Sequence, residues 1–246
     1  MKIAIVGYGR MGREVEAIAK AHGHEIASII DVDNQQDFES EAFRSADVAI
    51  CFTGPQAARE NLLKCWDAGL PVVSGTTGWQ TEEVAAEINE RCQRGATLLW
   101  APNFSIGMNV TNAATRLLAR LLGPYPEYKA SVHEIHHIHK KDHPSGSAIM
   151  LSDSIIAANK RYNVWEEFDK GAEAPDGVVS VSHERIGEVS GIHEVKWTSD
   201  NDIITLKHEA KSRKGFAYGA VVAAEWLNTA PKGHLYSMND VLKTMI

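Results

Sequence analysis

The sequence has few cysteines, no long apolar stretch and no targeting segment. Its three cysteines, Cys51, Cys65 and Cys92, are unevenly spaced and form no C-x-x-C pair. Such residues are typical of small buried side chains in a reduced compartment rather than of a disulfide framework. The apolar runs are far shorter than a membrane span, and the N-terminal segment lacks a signal-peptide pattern. We therefore expect a soluble cytoplasmic protein with no membrane partner.

Positive charge is also scarce. The 246 residues include 25 Lys and Arg against 32 Asp and Glu, which gives a formal net charge of −7. A nucleic-acid-binding protein should carry a basic stripe, whereas the basic residues here are scattered apart from one short segment. The composition therefore argues against a nucleic-acid partner, and the length allows one large domain or two smaller ones.

The first half of the chain alternates between strand and helix patterns. Apolar and β-branched segments predict strands at 2–7, 25–31, 46–54, 70–78 and 96–104. Between them, helical spacing is clear at 11–22, 56–68 and 81–94. This alternation predicts βαβ units in a Rossmann-type, doubly wound parallel sheet. The polar segment 33–45 is too short for a full crossover helix.

The second half predicts a different architecture. A helix at 106–123, a strand at 128–138 and a helix at 145–162 precede three strands that begin at 178 and are joined by Gly- and Asp-containing turns. These elements predict an α+β domain with a mainly antiparallel sheet. The apolar helix 214–230 and a short helix at 239–245 would then return to the first sheet.

Two domains follow from these patterns. Residues 1–104 and 215–246 are predicted to bind a dinucleotide, and residues 105–214 to bind substrate and form the oligomer. Hinges near 103–105 and 213–216 would close the domains over substrate and exclude water.

A glycine-rich turn follows the first strand. Gly7, Gly9 and Gly12 have the G-x-G-x-x-G spacing, and the second strand ends at Asp31. In a strand–turn–helix, such glycines permit a tight turn, close approach of a pyrophosphate and close helix packing. The helix N-terminus adds free N–H groups for phosphate. The turn therefore predicts a nicotinamide-dinucleotide site, although the same glycines could serve packing alone.

The acid at the end of the second strand bears on cofactor choice. The Asp31 carboxylate would accept hydrogen bonds from the adenosine ribose and repel a 2′-phosphate. Arg10 and Arg13 could partly offset this repulsion. NADH or NADPH is therefore the expected cofactor, with NADH favoured. The "SGTTG" segment at 74–78 could approach the nicotinamide ribose or ring, or be a tight polar turn.

The basic segment is "EIHHIHKKDHPSGSA" at 134–148. Three interpretations compete: a metal site, a solvated turn, and a cradle for an anionic substrate with its own proton donors. His136 and His137 point apart on a strand, and no third ligand stands nearby in the sequence, so no metal is expected. Ser145 can cap the following helix, whose first turn offers N–H groups and hydroxyls to a carboxylate. Such crowding of histidine and lysine favours the anion cradle with acid–base chemistry.

The same segment resembles the signature of the dihydrodipicolinate reductase family, E-x-H-H-x-x-K-x-D-A-P-S-G-T-A. "GYGRMG", "SGTTG" and "APNFSIGMNV" also resemble the family's glycine turn, G-T-T-G and hinge segments. "RIGEVSGIHEV" and "ITLKHEAKSRKGFAYGAV" resemble its later strands and closing helix. The resemblance thus covers nearly the whole chain.

The resemblance implies roles for individual residues. His136 would be the proton donor or acceptor, Lys140 the proton donor, and His137 a substrate contact. Gly146 and Ser147 would bind a substrate carboxylate beside Ser145. The residues that fall on the family's cofactor segments are Gly7, Tyr8, Gly9, Arg10, Met11, Gly12, Asp31, Gly75, Thr76, Thr77, Ala101, Pro102, Asn103 and Phe104.

The resemblance also implies a reaction and an assembly. The family reduces dihydrodipicolinate, or its hydroxylated tetrahydro precursor, to tetrahydrodipicolinate in lysine biosynthesis through diaminopimelate. Hydride goes to substrate C4, and the loop then protonates the resulting enamine. Family members are commonly homotetramers joined through the second domain.

Two departures and two rival functions remain. His143 stands where the family has alanine, and Ser147 replaces threonine but keeps the hydroxyl. Another two-domain dehydrogenase that acts on an amino acid or imine would keep the glycine turn without needing this loop. A non-catalytic nicotinamide-binding sensor would gain nothing from Lys140.

Overall fold

The computed structural model describes residues 1–243. Its contacts divide the chain into two compact units: Met1–Ile106 with the segment that begins at Arg213, and Gly107–Ser212. Of the helices in residues 1–243, not one is both long and apolar enough to cross a membrane. The three cysteines are buried and unpaired by disulfides, as their spacing predicts.

The described elements comprise eleven strands and eight α-helices. The strands are β1 Lys2–Val6, β2 Glu25–Ile30, β3 Val48–Cys51, β4 Val72–Ser74, β5 Leu98–Trp100, β6 Lys129–His136, β7 Val164–Glu167, β8 Val178–Arg185, β9 Ile192–Thr198, β10 Ile203–Glu209 and β11 Leu235–Tyr236. The helices are α1 Arg10–Ala21, α2 Glu41–Arg44, α3 Pro55–Asp67, α4 Glu82–Gln93, α5 Ile106–Leu121, α6 Gly146–Ala158, α7 Lys214–Thr229 and α8 Met238–Lys243.

The first unit is built on a six-stranded sheet with the order β11-β5-β4-β3-β1-β2. All of its strand pairs are parallel, which confirms the Rossmann-type sheet. From β1, the chain first adds β2 on one side and then crosses to add β3, β4 and β5 on the other side. The direction of strand addition therefore reverses between β1 and β3, which are neighbours in the sheet. In open α/β sheets, ligands bind at such a switch point, beyond the carboxyl ends of the strands.

Both faces of this sheet are covered by apolar layers. Ile3 and Ile5 of β1 lie in one cluster with residues of α1 and α7, whereas Ala4 and Val6 lie in the other with residues of α3 and α4. This alternation explains why β1 is apolar throughout, since both of its faces are buried. Helix α7 packs closely: a Cβ on Gly219 would lie 1.8 Å from the Phe104 carbonyl oxygen.

The connection from β2 to β3 is compact. It contains a 3-10 segment at Val32–Glu39 and the single-turn α2, so the described chain has no full crossover helix there, in agreement with the sequence. Phe38 and Phe43 are both buried and meet edge to face, with ring centroids 5.1 Å apart. These two rings cover the sheet where a longer helix would otherwise lie.

The second unit contains a five-stranded sheet with the order β10-β9-β6-β8-β7. Strand β9 is antiparallel to β6 and β10, but β8 is parallel to β6 and β7. The sheet is therefore mixed, and the expectation of a mainly antiparallel sheet was too simple. Helix α6 connects β6 to β7 and carries the chain back to the end of the sheet at which β6 begins. Strands β7 and β8 therefore run parallel to β6.

Short strands account for the other differences. The sequence did not predict β7, whose "VWEE" pattern is mostly polar, or the two-residue β11. The predicted strands 46–54, 70–78 and 96–104 include the loops that follow β3, β4 and β5. The last helix is described as Met238–Lys243, and the rest of its predicted range lies outside the described residues.

Candidate active site

The glycine turn after β1 is shaped by two glycines that leave no space for a side chain. Gly7 has a φ of +90°, and a Cβ there would lie 2.2 Å from the Phe52 carbonyl oxygen. A Cβ on Gly12 would lie 2.2 Å from the Gly7 carbonyl oxygen. These contacts hold the turn tightly against β3 and α1 at the point where the strand order reverses.

Gly9 has a different environment. It is the N-cap residue of α1, and a Cβ there would meet no atom within 4 Å. The first turn of α1 has no acidic side chain and no side-chain cap. The space beside these N–H groups fits a phosphate, which a helix N-terminus binds through its free N–H groups and dipole.

The neighbouring predicted residues surround this turn. The Tyr8 hydroxyl bonds to the Glu16 carboxylate, and the Arg13 guanidinium lies 4.7 Å from the centre of the Tyr8 ring. Arg10 is exposed, and Met11 is half-buried and packs against the core. The turn is therefore flanked by positive charge on its open side.

Asp31 begins the segment after β2. Its N–H donates to Asn34 Oδ1 at 2.7 Å, and its carbonyl accepts from Gln35 Nε2 at 2.8 Å. The next residue, Val32, is 80% exposed. The Asp31 carboxylate also accepts from the Asn34 N–H in a capping box, so backbone and side chain together fix the position of Asp31.

The segment after β4 is held by Phe52 and two indoles. A Cβ on Gly75 would lie 2.1 Å from the Phe52 ring. The Thr76 hydroxyl accepts from the Thr53 N–H at 3.1 Å. The Thr76 carbonyl accepts from Trp79 and Trp100 at 2.7 and 2.9 Å. Thr77, the next residue, is exposed.

The segment after β5 completes the predicted cofactor residues. The Ala101 N–H donates to the Ser74 carbonyl at 3.3 Å. Asn103 Oδ1 accepts from the Ser105 N–H at 2.8 Å. Phe104 is buried against Phe52, whereas Pro102 is exposed. All predicted cofactor residues thus follow the carboxyl ends of parallel strands in the first unit, and such ends meet at one edge of a sheet.

In the second unit, the histidine–lysine loop begins at a fully buried carboxylate. Glu134, on β6, is 0% exposed. Its Oε1 accepts from Arg185 Nη2 at 3.1 Å, and its Oε2 accepts from the Ser145 N–H at 3.0 Å. Two imidazole nitrogens also face Oε2: His136 Nδ1 at 3.6 Å and His193 Nε2 at 3.7 Å.

Glu134 remains ionised despite its burial. Burial alone would raise the pKa of this carboxyl group, but the neighbouring His193, Ser145 and His136 side chains lower the pKa to about 2. The result is a fixed negative charge inside the second unit, next to the loop that carries Lys140.

His136 is held next to this charge in its neutral form. Burial lowers the pKa of His136 to about 4, and this effect exceeds the opposing influence of Glu134. The ring meets that of His193 edge to face, with centroids 5.0 Å apart. Gly191, with a φ of +149°, leaves room for the ring, since a Cβ there would lie 3.1 Å from His136 Nε2.

Arg185 connects the buried carboxylate to the loop that carries Lys140. Its Nη2 donates to the Asp142 carbonyl at 2.7 Å, and its Nε donates to the Lys140 carbonyl at 3.3 Å. Lys140 Nζ lies 2.6 Å from Asp142 Oδ2. The Lys140 side chain is only 18% exposed, so its ammonium group is held in a defined place.

The start of α6 follows this loop. Ser145 is buried: its hydroxyl accepts from the Ala148 N–H at 3.2 Å and lies 3.0 Å from His193 Nε2. Ser145 is therefore engaged within the protein as a helix cap. Gly146 is exposed and Ser147 is half-buried in the first turn. His137 is also half-buried, and its Nδ1 has no hydrogen-bond partner among the described residues.

Sequence reasoning missed four residues of this site: Glu134, Arg185, Gly191 and His193. The last three lie on or beside β8 and β9, about 50 positions beyond the loop, so proximity in the sequence could not reveal them. The "RIGEVSGIHEV" segment contains all three and was the available signal. Glu134 stands at the head of the loop pattern, where a buried acid beside histidines could have been recognised.

Comparisons with known proteins give the same picture for both units. The family model described as "Dihydrodipicolinate reductase, N-terminus" matches residues 1–104, and "Dihydrodipicolinate reductase, C-terminus" matches residues 107–242. The chain is 39% identical to the 4-hydroxy-tetrahydrodipicolinate reductase of Christiangramia forsetii, over 100% of this chain and 99% of that protein. It is 33% identical to the enzyme of that name from Rickettsia rickettsii, over 96% of this chain and 95% of that one.

Solved structures show the same fold. Dipicolinate-bound dihydrodipicolinate reductase from Paenisporosarcina sp. TG-14 has a TM-score of 0.73 at 21% identity, over 96% of this chain and 97% of that one. Amine dehydrogenase from Mycobacterium smegmatis has a TM-score of 0.61 at 14% identity, over 95% and 94% of the two chains. The fold is thus shared with a dehydrogenase of another name, so the family assignment rests on the family models and the curated relatives. The chain belongs to the dihydrodipicolinate reductase family.

Proposed function

We propose that this protein reduces 4-hydroxy-tetrahydrodipicolinate to tetrahydrodipicolinate, with a reduced nicotinamide dinucleotide as cofactor, in lysine biosynthesis through diaminopimelate. The C4 hydroxyl group leaves as water to give the conjugated imine, which then takes hydride at C4 and a proton at the enamine carbon. The observation that carries the proposal is the buried Glu134 carboxylate, which joins His136, Ser145 and Arg185 beneath the Lys140 loop. Buried, ionised carboxylates next to titratable side chains with shifted pKa values are concentrated at functional sites.

The first turn of α6 is the proposed binding site for a substrate carboxylate. Gly146 is exposed there and Ser147 follows it, and a helix N-terminus favours an anion through its dipole and free N–H groups. His137 is the proposed contact to the remaining polar groups of the substrate. Ser145 contributes indirectly, because its hydroxyl and N–H hold the end of the helix.

Lys140 is the proposed proton donor. His136 is neutral at pH 7 because its pKa is about 4, so it holds no proton that it could release as an acid. It can instead orient the substrate by a hydrogen bond and accept a proton later. The Lys140 ammonium is held by Asp142 at 2.6 Å and carries the proton that the reduced product requires at its enamine carbon.

The first unit is the proposed cofactor domain. The turn at Gly7, Gly9 and Gly12 fits a pyrophosphate, because a Cβ at Gly7 or Gly12 would collide with backbone while the space at Gly9 stays open. The segments that follow β4 and β5 would hold the nicotinamide end. When bound, the reduced nicotinamide supplies the hydride. The Asp31 carboxylate favours NADH over NADPH, because it would repel a 2′-phosphate.

The proposal extends to the assembly and location of the enzyme. Family resemblance supports a homotetramer joined through the sheet of the second unit, and Ile203 on its edge strand β10 is 61% exposed. The protein is proposed to act in the cytoplasm on a small dicarboxylate. Native mass spectrometry at several protein concentrations tests the tetramer directly.

A coupled assay tests the function. The preceding synthase would generate substrate from pyruvate and aspartate semialdehyde, and the loss of reduced nicotinamide absorbance would be followed. We expect rapid, substrate-dependent oxidation by the wild type. Lys140→Ala should lose activity by about 100-fold or more while its cofactor affinity stays unchanged. Lys141→Ala, at the exposed neighbouring lysine, is the matched control and should retain activity.

Two results would identify a rival function. A nicotinamide sensor would bind cofactor and show no oxidation with this substrate. A dehydrogenase for another imine or amino acid would oxidise the cofactor only with that other substrate.

A further inference from the structure

Three side chains outside the proposed catalytic groups form a compact cluster on the second unit, here called the His143 cluster. His143 lies in the loop before α6, Glu167 ends β7, and His183 lies on β8. His143 Nδ1 is 3.0 Å from Glu167 Oε2, and His183 Nδ1 is 3.9 Å from the same oxygen. The two imidazole rings are stacked, with centroids 4.3 Å apart and planes 20° from parallel.

The sheet explains how Glu167 and His183 come together. Glu167 on β7 is in register with Val181 on β8. His183 is two residues further along β8, so its side chain leaves the same face of the sheet. Helix α6 packs on this face, through contacts of Leu151 and Ile155 with the core that contains Val181. The loop that leads into α6 therefore brings His143 over the ends of both strands.

The three ligand atoms have the spacing of a small metal site. All lie within 4.8 Å of one another. Ligand atoms around a tetrahedral zinc ion, with bonds of about 2.0–2.2 Å, lie about 3.3 Å apart. The distances from Glu167 Oε2 bracket this value: His143 Nδ1 lies at 3.0 Å, which is a hydrogen bond, and His183 Nδ1 lies at 3.9 Å, which is not. Two imidazoles and one carboxylate are also a donor set suited to zinc and its neighbours in the first transition row.

Because the lone pair of each Nδ1 lies in its ring plane, one of the two stacked imidazoles must rotate for both to bind one ion. Solvent access leaves room for this. The side chains of His143, Glu167 and His183 are 50%, 33% and 32% exposed, so an ion can enter and water can occupy its remaining coordination positions. His143 is also one of this chain's departures from the family loop pattern. The His143 ligand is therefore absent from that pattern.

We propose that the His143 cluster binds one divalent transition-metal ion of the zinc type. His143, Glu167 and His183 are its protein ligands, and water completes the coordination. Binding ties the loop before α6 to β7 and β8. The residue next to His143 is Asp142, which holds Lys140 at 2.6 Å, so the ion restrains the loop that carries the proposed proton donor.

Two other groups of potential ligands in residues 1–243 are less suitable. Glu134, His136 and His193 are all buried, and the Glu134 carboxylate is already bonded to Arg185 and Ser145.

In the second group, Glu225 Oε1 lies 3.0 Å from His22 Nδ1 and 2.7 Å from His24 Nε2. These distances are those of two hydrogen bonds and are shorter than the separation in a tetrahedral site. This second group provides a control, because it contains the same residue types.

The experiment is a titration of the untagged, metal-free protein with Co²⁺, whose visible absorption reports tetrahedral coordination, followed by displacement with Zn²⁺. It would be done in a His22→Ala, His24→Ala background, which leaves the His143 cluster as the exposed group of three such ligands among residues 1–243. Comparison proteins in that background carry His183→Ala, Glu167→Gln or His143→Ala. Circular dichroism and thermal unfolding establish that each variant is folded. The readout is binding and does not depend on the proposed reductase activity.

We expect one Co²⁺ per chain, with a visible absorption band that Zn²⁺ removes. Loss of a group that hydrogen-bonds to a metal ligand already weakens metal binding by about 10–100-fold, so loss of a ligand itself should weaken it at least that much. The proposal is overturned if the background protein binds no ion, or if folded His183→Ala and His143→Ala bind Co²⁺ with unchanged affinity and spectrum. A Co²⁺ band that is present in the unsubstituted protein but absent from the His22→Ala, His24→Ala background would assign binding to the other group and also overturn the proposal.

Discussion

The guanidinium of Arg185 donates to the fully buried Glu134 carboxylate at 3.1 Å and, through the same Nη2, to the Asp142 carbonyl at 2.7 Å. One side chain thus joins a charge inside the second unit to the surface loop that carries Lys140. The pair explains how a loop with six histidines and lysines within eight residues, 136–143, keeps a defined conformation. Removal of the ion pair should lower the free energy of unfolding and disturb the conformation of the loop.

Glu134→Gln tests this pair. The amide would turn an N–H group towards either Arg185 or the Ser145 N–H, and Arg185 would lose its counter-charge. Breaking a buried ion pair from one side costs about 3–5 kcal/mol, and we expect a loss of that order in urea unfolding. Glu188→Gln is the control, because Glu188 is 81% exposed and its loss should cost less than about 1 kcal/mol. Equal effects of the two substitutions would contradict the role of Glu134.

Two substitutions in the glycine turn separate folding from cofactor binding. Gly7→Ala places a methyl group 2.2 Å from the Phe52 carbonyl oxygen at a positive φ, and should destabilise the protein by about 2–4 kcal/mol. In Gly9→Ala the added methyl group would have no other atom within 4 Å. The change of N-cap residue should lower the free energy of unfolding by at most about 1 kcal/mol.

Gly9→Ala should nevertheless weaken cofactor binding by about tenfold, or 1.4 kcal/mol, because its methyl group occupies the proposed phosphate position. Fluorescence titration of reduced nicotinamide measures the affinity, and thermal unfolding measures the stability. Unchanged affinity in folded Gly9→Ala would mean that the turn serves packing alone.

The pKa of His136 predicts a pH dependence of stability. Its pKa is about 4 in the folded protein, against about 6.5 for a free imidazole. Between these values the unfolded chain binds more protons, so the free energy of unfolding should fall as the pH falls from 6.5 towards 4. The full contribution is about 3 kcal/mol.

Urea unfolding at pH 6.5, 5.5 and 4.5 would measure this slope, and a His136→Gln variant should show a shallower one. Identical slopes in the wild type and the variant would show that His136 titrates normally in the folded protein. Glu134 adds a further loss only below pH 4.5, because its pKa is lowered to about 2.

Asp31→Ser tests the proposed cofactor preference. Removal of the carboxylate should raise kcat/KM for NADPH relative to NADH by about tenfold, equivalent to 1.4 kcal/mol. Serine retains a hydroxyl for the ribose and can replace the carboxylate as acceptor in the capping box with Asn34. The backbone hydrogen bonds of Asp31 to Asn34 and Gln35 need no side chain. A ratio that does not change would place the discrimination elsewhere. Asp33→Ser, two residues further on, is the control.

Much of the first unit could be predicted because its signals are local. Strand β1 is apolar throughout, α1 has one apolar face, and Gly7, Gly9 and Gly12 mark the turn between them. Strand ends were less accurate, in part because the loops after β3 and β5 begin or end with apolar residues such as Phe52 and Phe104. These two rings pack against each other outside the strands.

The site in the second unit could be predicted only in part. The residues 136–147 lie together in the sequence, and their chemistry is readable there. Their partners come from β7, β8 and β9, and parallel pairing of β6 with β8 cannot be read from residue spacing. Glu134, Arg185 and His193 were therefore found only when the sheet order was known, as was the partnership of His143 with Glu167 and His183.

The most direct test of the central claim is the isotopic content of the product. Reduced nicotinamide deuterated at the transferred position would be supplied with enzymatically generated substrate, and the product would be analysed by mass spectrometry. We predict tetrahydrodipicolinate that carries a single deuterium on C4, formed by the wild type and strongly diminished in Lys140→Ala. Absence of labelled tetrahydrodipicolinate, from folded protein that binds the cofactor, would contradict the assignment of this chain as the reductase.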